Sequence, residues 1–130
     1  MAETKESLVN SIQEMLNEEK WTRATISNYS KNNFIELAQI IEKTCNSGCI
    51  DEVKAICDEH LTHTKNSIIA LYLSGILGLK KRTLDNSALT TLIEIFQDNH
   101  KKNIVEFLCD NILAEDENNK FALRTIAEIY

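Results

Sequence analysis

The chain has 130 residues, of which 43% are hydrophobic and 26% charged, and its formal net charge is −6. This composition fits one globular domain with its own core and excludes a disordered chain, while the acidic balance argues against broad nucleic-acid binding. There is no proline, and the three glycines are Gly48, Gly75 and Gly78. Because sandwiches and barrels need frequent turn residues, this scarcity predicts an all-α fold.

The N-terminus and the cysteines indicate a cellular compartment. The first ten residues, MAETKESLVN, are polar and acidic, unlike a signal or transit peptide. The most apolar run, Ile68 to Leu79, has about half the length needed to cross a bilayer. Four cysteines without secretory context are typical of reduced thiols. These features predict a cytoplasmic protein with no membrane contact.

Residues 1–30 are predicted to form an N-terminal helix and a short second helix. Apolar residues at helical spacing indicate a first helix from about Lys5 to Lys20, and a short helix is expected from Thr22 to Tyr29. Asn33 and Glu36 have the spacing of a capping box, which would open the next helix. That helix is expected to end near Gly48, a natural left-handed cap.

Residues 33–130 are predicted to form stacked helical hairpins. The helix that Asn66 is expected to cap is apolar all round, so it should be buried among the others. Its stripe of Ala70, Ser74 and Gly78 would let a neighbouring helix approach closely. The expected later helices span about Asp51 to Thr62, Ser67 to Lys81, Asn86 to Gln97, Lys102 to Ala114, and Asn119 to the end. The chain is thus predicted to form a single domain of seven to eight antiparallel helices.

An internal repeat supports the stacked arrangement. Residues 53–78 align without a gap on residues 105–130, with seven identities in 26 positions. Most identities fall at expected core or turn positions, such as Cys57 with Cys109 and Asn66 with Asn118. Such self-similarity favours an array in which each hairpin buries its apolar stripe on the next.

The stretch ILAEDENNKFALRTIAEIY, residues 112–130, resembles the junction between tetratricopeptide repeats. Ala122, Ala127 and Tyr130 stand at the small and aromatic positions of that junction. The usual proline and the period of about 34 residues are both missing. The resemblance therefore implies a tetratricopeptide-like α-solenoid or helical bundle.

The last helix is predicted to keep an open apolar face, made of Phe121, Ile126 and Ile129. Arrays normally finish on a polar capping helix. We therefore expect the chain to be the N-terminal part of a longer protein.

Cys45, Cys49, Cys57 and His60 form the pattern C-x3-C-x7-C-x2-H, which supplies the right ligand types for zinc. The alternative is that Cys45 and Cys57 are small core residues on facing helices. The repeat favours the core interpretation, because Cys109 stands at the position of Cys57 without a ligand set around it. No residue is predicted to be catalytic, to hold a metal or to bind a cofactor. The acidic clusters at residues 18–19 and 115–117 are typical of solvated helix ends, the alternative being a site for a divalent ion or a basic partner.

Trp21, the only tryptophan, lies among Ser, Thr and Asn residues that suit two successive helix boundaries. Its expected role is packing at the corner between two helices. The alternative is a partner-binding hot spot made of Trp21, Arg23 and Tyr29.

The stretch LNEEKWTRATISNYSKNNFIELAQIIE, Leu16 to Glu42, resembles the start of the amino-terminal extension of spirochaetal Gre-type (GreA-like) transcription elongation factors. Gre factors insert an acidic-tipped coiled coil into RNA polymerase and promote transcript cleavage. Neither that coiled coil nor the polymerase-docking domain can be placed here.

The resemblance implies a non-enzymatic protein-interaction module of such a factor, with RNA polymerase or an associated protein as its partner. The acidic net charge argues against direct nucleic-acid binding by this domain. Two alternatives stay open: a free-standing tetratricopeptide-like adaptor for a peptide or chaperone, and a zinc-dependent nucleic-acid binder. The sequence does not indicate the oligomeric state.

Overall fold

The computed structural model describes residues 5–19, 28–82 and 87–129. Within these ranges the chain forms seven helices and no strand, so the all-α prediction is confirmed. The helices are α1 (Lys5–Glu18), α2 (Lys31–Asn46), α3 (Ile50–His63), α4 (Ile68–Lys80), α5 (Ser87–Asp98), α6 (Lys102–Glu115) and α7 (Lys120–Ile129). Most of the predicted short helix Thr22–Tyr29 lies outside the described residues. None of the described helices is long and apolar enough to span a membrane.

Helix α4 is the centre of the fold. Eleven of its 13 residues are buried, because it carries apolar or small side chains on every face. Helices α1, α2, α3, α5 and α6 all pack against it. This confirms the prediction that the all-apolar helix is enclosed by the others.

The small residues of α4 serve two different contacts. A Cβ at Gly75 would lie 2.5 Å from Leu89 of α5, so the two helices approach closely there. Ser74, part of the predicted stripe, instead donates a hydrogen bond to Asp58 of α3. The stripe of Ala70, Ser74 and Gly78 is buried as expected. The glycine that permits the close contact with α5 is Gly75, the residue after Ser74.

The helices repeat as a three-helix unit. The first and last residues of α6 lie 52 positions after those of α3. The last residue of α5 lies 52 positions after that of α2, and the first residue of α7 lies 52 positions after that of α4. The repeat is therefore longer than the hairpin seen in the sequence, since α2 and α5 belong to it. Tetratricopeptide repeats are pairs of helices with a period of about 34 residues. The tetratricopeptide-like detail is not confirmed.

The turn after the first helix of each unit is built in the same way. Gly48 (φ 66°) and His100 (φ 59°) both adopt the left-handed conformation. The next residue in each unit donates a backbone hydrogen bond back into the preceding helix, from Cys49 to Thr44 (3.2 Å) and from Lys101 to Phe96 (2.9 Å). This is the Schellman arrangement, so the left-handed cap predicted at Gly48 is confirmed.

Two N-terminal caps differ from the predictions. Helix α2 is capped by Ser30, whose N–H donates to Asn33 Oδ1 at 2.8 Å, so Asn33 is the reciprocal residue and not the cap. Helix α4 is capped by Ser67, whose Oγ accepts from the N–H of Ala70 at 3.2 Å, and not by Asn66. Each cap is a serine in the extended conformation that directly precedes the first residue of its helix, whereas Asn33 lies inside α2 and Asn66 lies one residue before the cap.

An aromatic cluster fixes the start of α2. Phe34 is fully buried, and its ring lies 5.8 Å from Tyr29, 5.1 Å from Tyr72, 5.7 Å from Phe96 and 6.5 Å from Phe107. These rings belong to α4, α5, α6 and the segment before α2. The cluster therefore sets the position of α2 relative to α4 and α6.

Candidate interaction surfaces

The cysteines lie in the core. Cys49, Cys57 and Cys109 are buried, and Cys45 is partly exposed. Burial raises the pKa of Cys57 to about 12 and that of Cys109 to about 11. Among the described residues, no three His, Cys, Asp or Glu side chains are grouped as metal ligands. Cys57 therefore occupies the core position that the repeat indicated.

Glu19 is an anchor between distant segments. One carboxylate oxygen accepts from the hydroxyl of Ser67, and the other accepts from the N–H of Ile69 at 3.1 Å and from the hydroxyl of Tyr29 at 2.8 Å. An anion at the start of α4 is also favoured by the helix dipole. The prediction of a solvated helix end holds for the exposed Glu18 but is wrong for Glu19.

Tyr29 is the only described member of the predicted partner-binding set, since Trp21 and Arg23 lie outside the described residues. Its ring packs against Phe34 and lies 6.1 Å from Phe96. Burial and the Glu19 carboxylate raise the pKa of its hydroxyl well above the usual range. Tyr29 therefore has a packing role, and partner binding by this set stays a prediction.

A basic cleft lies beside Tyr29. We use this name for a cavity of about 370 Å³ between the start of α2 and the start of α6. It is lined by Tyr29, Ser30, Lys31 and residues 100–104. The charged or titratable side chains on this lining are Lys31, His100, Lys101 and Lys102. Sequence spacing did not reveal the cleft, because residues 100–102 lie about 70 positions after Lys31.

A central groove runs between α2 and α6 over α4. The cavity has about 370 Å³, and its lining residues are Ala38, Ile41, Glu42 and Cys45 on α2, Tyr72, Ile76 and Lys80 on α4, and Asn111, Ala114 and Glu115 on α6. Apolar side chains with a few polar groups are the usual lining of a binding pocket. The groove depends on contacts between residues about 40 positions apart, so sequence periodicity did not reveal it.

Two polar contacts tie α6 to α4 along this groove. Lys80 Nζ lies 2.7 Å from Glu115 Oε1, and the amide of Asn111 donates to the Tyr72 hydroxyl at 3.1 Å. Burial raises the pKa of Tyr72 to about 12, so its hydroxyl is protonated at neutral pH. These contacts hold the α6 wall of the groove on its α4 floor.

The groove continues toward an exposed apolar side chain on α2. Ile35 is 46% exposed, an unusual state for a large hydrophobic residue in the described part of the chain. It precedes Ala38, Glu42 and Cys45 by three, seven and ten positions, which places all four on one face of the helix. The α2 side of the groove therefore extends beyond the residues that line the cavity.

A polar cluster joins α3 to α4 beside another cavity. Lys54 Nζ lies 2.9 Å from Asp58 Oδ2, and Asp58 also accepts from the nearly buried Ser74 hydroxyl. A serine nucleophile needs a base that accepts its proton. Here the serine donates to an ion-paired carboxylate, an arrangement that satisfies a buried hydroxyl and links two helices.

Comparisons with known proteins relate the chain to part of larger proteins. No family model matches it, and no solved structure matches it significantly. It is 53% identical over 102 residues, 78% of its length, to a "Putative GreA-associated domains protein" of Treponema pallidum. It is 38% identical over 122 residues, 94% of its length, to a "Transcription elongation factor GreA" of Borreliella burgdorferi.

The chain spans only 15% and 13% of these two relatives, or about one seventh of each. The relationship to spirochaetal GreA-related proteins, which residues 16–42 predicted, is confirmed.

Proposed function

We propose, from this relationship to part of the spirochaetal GreA-related proteins, that the chain is a non-catalytic helical interaction module of a Gre-type transcription elongation factor. Its partner is RNA polymerase or a polymerase-associated protein. The observation that carries the proposal is the 38% identity to a protein named GreA over 94% of this chain, because nearly the whole helical domain has a counterpart there. Stimulation of transcript cleavage belongs, in this proposal, to other parts of such a factor.

The central groove is the surface best suited to the partner. Tyr72 and Ile76 of α4 line its floor, and Ala38 of α2 and Ala114 of α6 are small lining residues of its walls. An amphipathic helix placed in such a groove can bury side chains spaced three or four residues apart. The ion pair of Lys80 and Glu115 gives one end of the groove a polar group that can orient the partner.

Tethering is the mechanism by which such a module would act. A domain that holds the factor on polymerase raises the effective concentration of the cleavage-promoting part at its site of action. This effect requires binding but no chemistry by the module. Trp21 and Arg23, together with Tyr29, are proposed as a further part of the contact.

Affinity capture tests the proposal. The immobilised domain is incubated with a spirochaetal lysate, and the retained proteins are identified by mass spectrometry. We expect RNA polymerase subunits to be retained by the unchanged domain and by Ala55→Arg, an exposed alanine of α3 outside the groove. Ala38→Arg, which puts a large charged side chain into the groove, should lose them.

Two results would count against the proposal in different ways. Failure of the unchanged domain to retain any transcription component would reject the link to transcription. Equal retention by Ala38→Arg would keep that link and reject the central groove as the contact surface.

A further inference from the structure

We infer that the outer face of α7 is a docking surface for the first helix of a further three-helix unit. This helix lies on α7 in the way that α5, the first helix of the second unit, lies on α4. The inference goes beyond the proposed function and does not depend on it, since it concerns a contact between repeat units and not a contact with polymerase.

The contact between the two units of this chain shows how such a face is covered. Helix α5 packs on α4 so closely that a Cβ at Gly75 would lie 2.5 Å from Leu89. Leu71, one helical turn before Gly75, is only 3% exposed. Both α4 residues line a cavity of about 500 Å³ between α3, α4 and α5. This face of α4 is therefore the side on which the next unit stacks.

The equivalent face of α7 is open. Leu123 stands 52 positions after Leu71, and Ala127 stands 52 positions after Gly75. Leu123 is 48% exposed, and Ala127 is exposed as well. Helix α7 packs on α6 as α4 packs on α3, but within the described ranges no first helix lies on it. Because stacked repeats bury equivalent faces on their neighbours, this face is suited to another unit.

The open surface is narrower than the sequence predicted. Phe121, Ile126 and Ile129, which were expected to stay open, are partly buried against the core. The large hydrophobic side chain of α7 that is exposed is Leu123. We use the name α7 strip for Leu123 and Ala127, which lie one helical turn apart.

A second copy of this chain does not supply the docking helix. Its first helix, α2, carries Leu37 at the position of Leu89, and Leu37 is only 5% exposed. Helix α1 packs on both α2 and α3, so the first unit is already covered on its own. The occupant is instead a unit without such a covering helix. The chain spans about one seventh of its two relatives, and most of each relative thus lies outside the two units.

The α7 strip requires a smaller residue than Leu89 on the docking helix. Ala127 has a Cβ at the position where α4 has Gly75. In the contact of α4 with α5, this atom would lie 2.5 Å from Leu89, well inside the roughly 3.5–4.0 Å at which carbon atoms pack. The docking helix therefore carries alanine or another small residue at this point.

The charge beside the α7 strip selects a basic helix. Lys54 and Lys65 line the cavity beside α5, and the residues 52 positions after them are Glu106 and Glu117. Neither glutamate forms an ion pair with another described residue. Thr91 of α5 lines the same cavity as the two lysines. Charge complementarity therefore favours Lys or Arg on the docking helix where α5 has Thr91.

A tandem chain tests the inference. Residues 79–130 are appended once more after Tyr130, which continues the 52-residue repeat and adds a third unit to the whole chain. In the appended copy, Leu89→Ala and Thr91→Lys fit the docking helix to the α7 strip. Urea denaturation followed by circular dichroism should show one transition for the three units, with a steeper dependence on urea than that of the unchanged chain.

Leu123→Glu, in the original copy, is the decisive variant. It should lower the urea midpoint of the unchanged chain by less than about 0.2 M, because the side chain is exposed there. In the tandem chain it should lower the midpoint by about 0.5 M or more, because the same side chain is then buried. The matched control is Ile35→Glu on α2, which is 46% exposed and should have a small and equal effect in both chains.

Two further variants test the chemistry of the docking helix. Restoring leucine at position 89 of the appended copy should lower the midpoint of the tandem chain. Thr91→Glu in the appended copy should be less stable than Thr91→Lys. In the original copy, where Thr91 lines a cavity with Lys54 and Lys65, Lys should have no such advantage.

Three outcomes would overturn the inference. One is an equal effect of Leu123→Glu in the unchanged and tandem chains, and another is a separate transition of the appended unit at low urea. The third is self-association of the unchanged chain, measured by sedimentation velocity, that Leu123→Glu abolishes, because a second copy would then occupy the strip. Since polymerase takes no part in these measurements, their result is independent of the affinity capture.

Discussion

Glu19 joins three segments of the chain through one carboxylate. It follows α1, and its oxygens accept from Tyr29, from Ser67 and from the backbone of Ile69. A carboxylate that accepts several hydrogen bonds at a helix start combines capping with a favourable interaction with the dipole. No sequence pattern indicated this role, because its partners Ser67 and Ile69 are 48 and 50 positions away.

We expect Glu19→Gln to lower the free energy of unfolding by about 1–3 kcal/mol, because at least one buried donor loses a charged acceptor. Glu18→Gln is the matched control, and its exposed side chain should change the free energy by less than about 0.5 kcal/mol. Urea denaturation followed by circular dichroism measures both. Equal effects of the two substitutions would contradict the anchoring role.

The thiols differ in exposure, so their rates of modification should differ too. The thiolate is the reactive form, and burial raises the pKa of Cys57 to about 12 and of Cys109 to about 11. At pH 8, Ellman's reagent should modify the partly exposed Cys45 first, and the three buried cysteines only after unfolding. Cys45→Ser should remove the fast phase. A fast phase that persists in this variant would show that the core opens more readily than its packing implies.

At the scale of whole helices, the two repeat units cap equivalent helices, α4 and α7, at the same position but with different residues. Ser67 accepts from the N–H of Ala70 at the start of α4, and Asn119 accepts from the N–H of Ala122 at the start of α7. These two caps are 52 positions apart, in step with the three-helix repeat. Serine and asparagine are among the preferred N-cap residues, so the exchange preserves the function of the position.

Asn119→Ala should lower the free energy of unfolding by about 1 kcal/mol. Ser67→Ala should lower it by more, because it also removes the hydrogen bond that Ser67 donates to Glu19. The matched controls are Asn66→Ala and Asn118→Ala, which change the exposed neighbouring residues and should cost less than about 0.5 kcal/mol. Thermal or urea denaturation distinguishes the pairs. A larger loss from Asn66→Ala than from Ser67→Ala would restore the cap that the sequence suggested.

Substitutions of the left-handed residues Gly48 and His100 test whether the turns of the two units are equivalent. His100→Gly should raise the free energy of unfolding by about 1 kcal/mol, because a side chain at positive φ is strained and glycine is not. Gly48→Ala, at the equivalent position, should lower it by a similar amount. A Cβ at Gly48 would meet no atom within 4 Å, so backbone strain alone is tested there. Destabilisation by His100→Gly would show that the histidine side chain makes a compensating contact.

The sequence predicted the helices better than their connections. Helical periodicity placed both ends of α3, α4 and α5 within one residue, because apolar spacing depends on local sequence. The caps of α2 and α4 were assigned to the wrong residues, since several Ser and Asn residues at each boundary suit the role. The third helix of the repeat was missed because α2 and α5 share few residues beyond Leu37 with Leu89 and Ile41 with Ile93.

At the scale of the whole molecule, α4 determines where the two surfaces form. Helices α2 and α6 both pack on it and leave the central groove between them, while their starts enclose the basic cleft. The sequence predicted that α4 is buried, but not which helices flank it. Neither surface was predictable, because each combines residues that are distant in sequence.

The proposed role of this domain is binding to the transcription machinery through the groove between α2 and α6. The most direct measurement is the equilibrium dissociation constant of the purified domain for purified spirochaetal RNA polymerase, obtained by biolayer interferometry. We expect saturable binding that Ala114→Arg, on the α6 wall of the groove, weakens by about tenfold or more. Ala127→Arg, at an exposed position of α7 outside the groove, should leave the constant unchanged. No saturable binding by the unchanged domain, or equal binding by Ala114→Arg, would contradict this proposed role.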